Sequence, residues 1–274
     1  GSGDDRFSGP SDVAVDAAGR LLVVDSGNHR VQVFDAAGRL EGSVGAAVAG
    51  ADFDQLRSPR RIALGPDGKR YIADTGNQRV LVLGADNRFL AALGGEVGAN
   101  SGQLREPLGL DVDAEGRLAL ADSENHRVLR LAVADEPWTA WNQSGFGRPQ
   151  AEAVGALATF DDALYAGVQD AEQGAAIWRR SSLDQPWESV LSGGLGDAAN
   201  RDLIDLAAWN GQLYAGLRNL QVTVDPATGA ESRQSGGGAI WRSADGSTWE
   251  TVAAGGLGDR RQMALGALTG YGQH

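Results

Sequence analysis

The sequence has no cysteine and only one methionine among its 274 residues. Without cysteine the chain has no disulfide framework, no thiolate metal site and no cysteine nucleophile. It also lacks an apolar run approaching the roughly 20 residues that a membrane-spanning helix needs. No charged-then-apolar leader is visible at its start, so we expect neither a membrane span nor a visible secretion signal.

Positive charge is scarce as well. Lysine and arginine together number 24 against 36 acidic residues, which gives a formal net charge of −12. Nucleic acid needs a basic protein face, so we expect no nucleic-acid partner. The 42% hydrophobic content excludes general disorder, and the 40 glycines indicate many turns.

Internal repeats are the strongest feature that is present. Residues 10–34 recur at 59–83 and again at 107–131, with offsets of 49 and 48 residues. Each copy alternates apolar residues with a period of two between Gly, Asp and Asn turns, which is typical of strands. Units of about 40–50 residues with four short strands must stack on their neighbours, and this predicts the blades of a β-propeller.

One segment of each copy carries a family resemblance. The run Asp-Ser-Gly-Asn-His-Arg at 25–30, with variants at 74–79 and 122–127, resembles the NHL repeat. The resemblance covers residues 7–134, about half of the chain. It implies an NHL-type propeller, for which six blades is the commonest number.

The second half repeats a different pattern. Residues 157–167 match 206–216 at an offset of 49. The run Ser-Ala-Asp-Gly-Ser-Thr-Trp at 243–249 resembles the Asp-box of sialidase-like propellers, and 181–187 is a degenerate copy. Residues 263–274 resemble the first strand of a further blade.

We therefore expect an all-β fold, a β-propeller of four-stranded antiparallel blades. Residues 1–145 are predicted to form three NHL-type blades, and residues 146–274 two Asp-box-like blades plus the first strand of a third. Five full blades and one strand are then visible, from a ring most consistent with six blades shared by both halves. An incomplete ring would favour self-association through its apolar edge.

The repeated polar residues have a structural interpretation. An acid that closes one strand, an asparagine with positive φ and an arginine that opens the next strand make a self-satisfied hairpin. Repetition in every blade favours this role over catalysis, which needs its groups once. The predicted network comprises Asp25, Asn28, Arg30, Asp74, Asn77, Arg79, Asp122, Asn125 and Arg127.

The Asp-box resemblance implies a second structural turn. Asp245 is expected to accept hydrogen bonds from backbone amides of the turn, and Gly246 to supply its conformation. Thr248 would brace the turn and Trp249 would pack beneath it. In that family these boxes lie away from the active site.

Two groups of residues are candidates for ligand binding. Arg57, Arg60 and Arg61 cluster before the second blade, where they could hold an anion or a carboxylate, or alternatively neutralise Asp52 and Asp54. The second group consists of His29, Gln78 and His126, which occupy the same turn position in the three repeats. These side chains could bind a ligand, or they could be metal ligands or plain surface turn residues.

The pattern is broken by an insertion, residues 218–237, which we interpret as an extra β-hairpin on the same rim as those turns.

We expect a non-catalytic recognition scaffold that binds a protein, peptide or glycan on one rim. Its alternatives are a metal-assisted NHL-type lyase or lactonase/hydrolase, and a glycan-binding or glycosidase-like propeller. No catalytic residue, cofactor or metal ligand is assigned. The alternative is a Ca or Zn ion bound on the propeller axis. The resemblance favours a secreted or envelope location.

Overall fold

The structure, a computed structural model, describes residues 3, 6–45, 48–131, 139–140, 142, 146, 151–182, 185–226 and 228–254. These residues form strands and short 3₁₀ turns, arranged as five four-stranded antiparallel blades of a β-propeller. The predicted fold class and the five blades are confirmed. In the described part of the chain, no helix has the length and apolar character to cross a membrane. The predicted strand at 263–274 lies outside the described residues.

The described residues divide into two compact units, one ending at residue 146 and the other covering 151–254. The first unit contains three blades. The strands of its first blade are β1 (Pro10–Val15), β2 (Leu21–Asp25), β3 (Arg30–Phe34) and β4 (Leu40–Val44). Those of the second are β5 (Arg61–Leu64), β6 (Arg70–Asp74), β7 (Arg79–Leu83) and β8 (Phe89–Gly94).

A short parallel pair, β9 (Glu96–Val97) and β10 (Gln103–Leu104), separates the second blade from the third. The strands of the third blade are β11 (Pro107–Val112), β12 (Leu118–Asp122), β13 (Arg127–Leu131) and β14 (Thr139–Ala140). In all three blades the strands pair in chain order.

The core of this unit lies between neighbouring blades. Leu22 and Val31 of the first blade pack with Ile62 and Ile72 of the second, and all four side chains are buried. A second cluster joins the second and third blades in the same way. Each buried Val, Leu or Ile contributes about 1.5–3 kcal/mol relative to exposure, so the stacking of neighbouring blades stabilises each sheet.

The antiparallel register defines two rims of each blade. Asp25 pairs with both Pro10 and Arg30, so the start of the first strand and the turn between the second and third strands share one edge, here called the upper rim. The opposite edge, the lower rim, carries the turn after the first strand. There the Asp16 carboxylate accepts hydrogen bonds from the amides of Ala18 and Arg20, both at 3.0 Å.

The second unit contains two blades. The strands of the first are β15 (Ala151–Phe160), β16 (Ala163–Asp170), β17 (Ala176–Arg180) and β18 (Glu188–Leu191). Those of the second are β19 (Asn200–Trp209), β20 (Gln212–Val224), β21 (Glu231–Ser243) and β22 (Glu250–Ala253). Their shared core includes Tyr165, Ile177, Leu203 and Leu217.

The predicted insertion is a β-hairpin. It extends β20 and β21 beyond their blade, and pairing continues from Asn219–Gly237 to Val224–Glu231. Across its tip the amide of Asp225 donates to the carbonyl of Ala230 at 2.9 Å. Its outer residues are mostly exposed, so the hairpin projects from the edge at which the second strand of its blade ends.

Candidate ligand-binding site on the upper rim

The upper rim is built around a buried aspartate in each NHL-like copy. Asp25 has no exposed surface. Its Oδ1 accepts a hydrogen bond from the Ser8 amide at 2.7 Å, and its Oδ2 accepts from Asn28 Nδ2 at 2.8 Å and Arg30 Nε at 3.0 Å. Burial acts to raise the pKa of Asp25, but the hydrogen bonds from Ser8, Asn28 and Arg30 outweigh it and hold the pKa below its usual value.

The same geometry recurs in the next two copies. Asp74 Oδ2 accepts from Asn77 and Arg79, both at 2.7 Å, and the third copy forms the same two bonds at 2.7 Å. The members of that third set are Asp122, Asn125 and Arg127. Each carboxylate therefore joins the ends of two strands to the turn between them.

The arginine of each set also holds the loop that enters its blade. The Arg79 guanidinium donates to the backbone carbonyls of Ala51, Asp52 and Gln55 at 2.6–2.9 Å. Arg127 donates in the same way to Ala99 and Gln103. These arginines are engaged by the fold rather than presented to a ligand.

One expectation about this turn is wrong. Asn28 was expected to take positive φ, but the left-handed residue is His29, with φ 55°. Gln78 and His126 have the same conformation in the other copies, with φ 55° and 51°. The asparagine instead lies inside the 3₁₀ turn, where its amide can reach the aspartate, and the next residue reverses the chain.

The side chains of His29 and Gln78 link neighbouring blades. His29 Nδ1 accepts a hydrogen bond from the Ser58 amide at 3.0 Å, and Gln78 Oε1 accepts from the Glu106 amide at 2.6 Å. His126 occupies the equivalent position, and its Nδ1 is buried without a hydrogen-bond partner among the described residues. We call the side chain at this position the blade linker.

A second contact reinforces each junction. Ser26 Oγ donates to the carbonyl of Pro59 at 2.5 Å, and Thr75 Oγ1 donates to that of Pro107 at 2.6 Å. Two bonds therefore attach each of the first two turns to the chain entering the following blade.

The predicted arginine cluster is divided by the fold. Arg61 forms an ion pair with Asp12 of the preceding blade, at 3.3 Å. Arg57 and Arg60 are exposed. In the described part of the chain, neither forms an ion pair with Asp52 or Asp54, the two acids proposed as their alternative partners.

Arg60 instead lines an open pocket on the upper rim between the second and third blades. The pocket has a volume of about 580 Å³. Its lining comprises Ser58, Arg60, Thr75, Gly76, Gln78, Val97, Arg105, Glu106 and Glu124. Among the residues that the structure describes, the exposed guanidinium groups of Arg60 and Arg105 have no ion-pair partner. We call this the rim pocket.

Two acids of the rim pocket interact. Burial raises the pKa of Glu106, and the neighbouring carboxyl group of Glu124 raises it further. The Arg60 guanidinium lowers it only in part. Because like charges close together disfavour each other's ionised form, this arrangement favours one proton on the pair.

Three lining residues of the rim pocket were not predicted from the sequence: Arg105, Glu106 and Glu124. A signal was present in the repeats, because the position of Glu124 holds glycine in the other two copies, and that of Glu106 holds Gly9 and Ser58. The backbone of Glu106 also has a positive φ of 51°, which is uncommon for a residue other than glycine. Glu106 and Glu124 are therefore acidic residues that, among the three copies, occur in the third alone, and this departure from the repeat was visible in the sequence.

A comparable pocket on the lower rim is a weaker candidate. It has a volume of about 570 Å³ and is lined by Arg20, Asp35 and Arg39. Arg20 pairs with Asp16 at 2.8 Å, and Arg39 pairs with Asp35 at 2.7 Å. Its arginines thus already have acidic partners within the fold.

The turn at 243–249 has the hydrogen bonds expected of it. Asp245 Oδ1 accepts from the amides of Ser247 and Thr248 at 2.8 and 2.6 Å, and these bonds hold the pKa of Asp245 far below its usual range. Gly246 has φ +70°, and Trp249 packs against the core of the second unit. In the degenerate copy, residues 183–184 lie outside the described residues.

The described residues offer little for metal ligation. Across the described ranges, no group of three or more His, Asp or Glu side chains is arranged to hold a metal ion. The rim pocket offers two carboxyl groups, which do not make a metal site by themselves.

The model of the NHL repeat matches residues 7–34 and 104–131. These segments correspond to the first and third copies described above. No curated protein matches the chain.

Solved structures with a similar fold include a streptogramin B lyase, with a TM-score of 0.59 and 14% sequence identity over 89% of this chain and 83% of that chain. Selenomethionine-substituted virginiamycin B lyase from Staphylococcus aureus has a TM-score of 0.58 and 11% identity, over 90% and 84%. A catalytically inactive form of that lyase with quinupristin has a TM-score of 0.57 and 12% identity, over 88% and 78%. Together the comparisons show a β-propeller fold with segments similar to NHL repeats.

Proposed function

We propose that this protein is a non-catalytic recognition propeller that binds an acidic ligand, presented by a protein, peptide or glycan, in the rim pocket. The supporting observation is the pair Arg60 and Arg105, two exposed guanidinium groups that share one pocket without an ion-pair partner among the described residues. Guanidinium groups bind carboxylates through two parallel hydrogen bonds. In a chain with a net charge of −12, such a pocket is a local exception.

Arg61 is not part of the proposed site. Its ion pair with Asp12 joins the first and second blades, so its replacement would disturb that junction. Arg105 takes its place, because it lines the pocket and makes only a backbone contact with the repeat network, its amide donating to Asp122.

The test uses a hexaglutamate peptide as the probe and hexalysine as the charge control. We expect the wild-type protein to bind hexaglutamate, and the double variant Arg60→Glu/Arg105→Glu to lose at least tenfold in affinity, about 1.4 kcal/mol. Arg39→Glu is the matched control, because Arg39 is exposed on the lower rim and is paired with Asp35. Equal losses in both variants, or no binding to the wild type, would contradict the proposal.

A second candidate function is a lyase or hydrolase, supported by the interacting carboxyl groups of Glu106 and Glu124. One of them could serve as a general acid or base. The described residues lack the ligands for a metal-assisted reaction. Stoichiometric metal in the purified protein, lost in Glu106→Gln but retained in Asp54→Ala, would favour this candidate over recognition.

A glycosidase-like role has less support. Retaining glycosidases need carboxyl groups about 5–5.5 Å apart, and inverting enzymes need them farther apart still. Glu106 and Glu124 supply two carboxyl groups, but the lining of the rim pocket, as far as the structure describes it, includes no aromatic side chain against which a sugar ring could stack.

A further inference from the structure

The two acids of the rim pocket occur only in the third repeat. At the position of Glu124, Gly27 and Gly76 leave no space for a side chain, because a Cβ there would lie 2.6 Å from the backbone oxygen of the preceding loop. In the third copy this approach is wider. The Glu124 amide lies 3.2 Å from the Arg105 carbonyl, against 2.8 and 2.9 Å for the two glycines. The loop thus lies slightly farther from the turn in the copy that carries an acidic side chain at this position.

Glu106 is held in place by its backbone. Its positive φ is stabilised by the blade linker Gln78, whose Oε1 accepts the Glu106 amide at 2.6 Å. Strained backbone of this kind persists only where neighbouring contacts enforce it. Ser58, which takes the same conformation one blade earlier, carries no charge. The fold therefore brings Glu106 and Glu124 into one pocket at the junction of the second and third blades.

Charge balance links these acids to the ligand. The charged groups that face the pair are Arg60 and Arg105. When both acids are ionised, the two arginines are fully neutralised, and a bound carboxylate would leave the pocket with an unbalanced negative charge. When the pair keeps one proton, a single positive charge remains, which matches one carboxylate.

We propose that the rim pocket binds a carboxylate together with one proton, which is held by the pair Glu106 and Glu124, while Arg60 and Arg105 bind the ligand. The inference rests on the proposed function and adds its regulation by pH. A carboxylate entering the pocket disfavours ionisation of the pair, so ligand and proton bind cooperatively. Affinity for acidic ligands then rises as the pH falls.

The experiment measures hexaglutamate binding between pH 5.5 and 8.0 by calorimetry, in buffers that differ in their enthalpy of ionisation. We expect the wild type to take up close to one proton per binding event within this range, and to gain about fivefold to tenfold in affinity for each unit of pH decrease. The probe's own titration is common to all variants, so the comparison between variants isolates the effect of the pair.

Two variants copy residues that the other repeats already accommodate. Glu124→Gly restores the residue of the first two copies, and Glu106→Ser restores that of the second. We expect both to lose proton uptake and the pH dependence. Glu124→Gln keeps a neutral hydrogen-bond donor, and we expect it to bind at pH 8.0 as tightly as the wild type binds at pH 5.5.

Each outcome decides between the two proposals. If hexaglutamate binds and Arg60→Glu/Arg105→Glu abolishes binding, but the wild type takes up no proton or Glu124→Gly keeps its pH slope, proton coupling is overturned and recognition stands. If the wild type does not bind the peptide, both proposals are overturned. Carboxyl NMR of the free protein supplies a direct check, since the Glu106 titration should shift toward its ordinary value in Glu124→Gly.

Discussion

Each NHL-like copy contains one aspartate without exposed surface, and this single side chain organises the upper rim. Asp25 accepts hydrogen bonds from an amide, an asparagine and an arginine. Such a group is costly to truncate, because its partners stay buried without an acceptor. Loss of the carboxylate would therefore cost more than its own hydrogen bonds, because the donors around it would also lose their acceptor.

Replacing this aspartate tests that role. We expect Asp25→Ala to lower the free energy of unfolding by about 1–3 kcal/mol, because buried donors lose their acceptor. Urea denaturation measures the change. Asp54→Ala is the control, since Asp54 is exposed, and we expect little effect from it. An Asp25→Ala protein as stable as the wild type would contradict the structural interpretation of the repeated acids.

At the scale of elements, the junction between blades depends on the blade linker. Histidine and glutamine perform the same task at successive junctions, because His29 Nδ1 and Gln78 Oε1 both accept a backbone amide. The position therefore requires a hydrogen-bond acceptor on a side chain of similar length, and it does not require an imidazole ring.

This equivalence predicts the outcome of two substitutions. We expect His29→Gln to leave stability nearly unchanged and His29→Leu to lose about 1 kcal/mol, because the leucine leaves the Ser58 amide without its acceptor. Hydrogen exchange at Ser58 reports the contact directly, and protection should fall only in His29→Leu. Equal stability and exchange in the two variants would show that the hydrogen bond contributes nothing.

At the scale of the whole molecule, carboxyl groups determine the response to acid. Asp16 and Asp25 have pKa values below their usual value of 3.8. As the pH falls past that value, the unfolded chain takes up protons before the native one, so the native state loses stability. Glu106 acts in the opposite direction, because its raised pKa makes the native state lose stability as the pH rises through it.

We therefore expect the thermal unfolding midpoint to fall steeply below about pH 4, near the usual pKa of these aspartates. Asp25→Ala should reduce that slope, since one of the contributing groups is gone. Calorimetry at several pH values measures both proteins. A wild-type midpoint that rises on acidification below pH 4 would contradict the assignment.

The repeats made the fold predictable. Copies offset by 49 and 48 residues, together with period-two patterning, located the blades, and the matching strands of the second unit followed from their own repeat. The left-handed residue was assigned to Asn28 because asparagine tolerates that conformation, but the 3₁₀ turn displaces it to His29.

The rim pocket was not predictable in the same way. Glu106 and Glu124 are 18 positions apart, and they meet only because a turn and a loop entrance share one rim. Arg60 comes from the previous blade. Comparison of the repeats shows which residues differ, whereas their contact depends on the stacking of two sheets.

The direction of the contacts at each turn has a consequence for the order of folding during synthesis. Asp25 binds the amide of a residue 17 positions earlier, whereas His29 binds one 29 positions later. A blade leaving the ribosome can thus close its aspartate contacts at once, but its linker has no partner until the next 29 residues have emerged. We expect the blades to be secured one after another from the N-terminus, each completed by its successor.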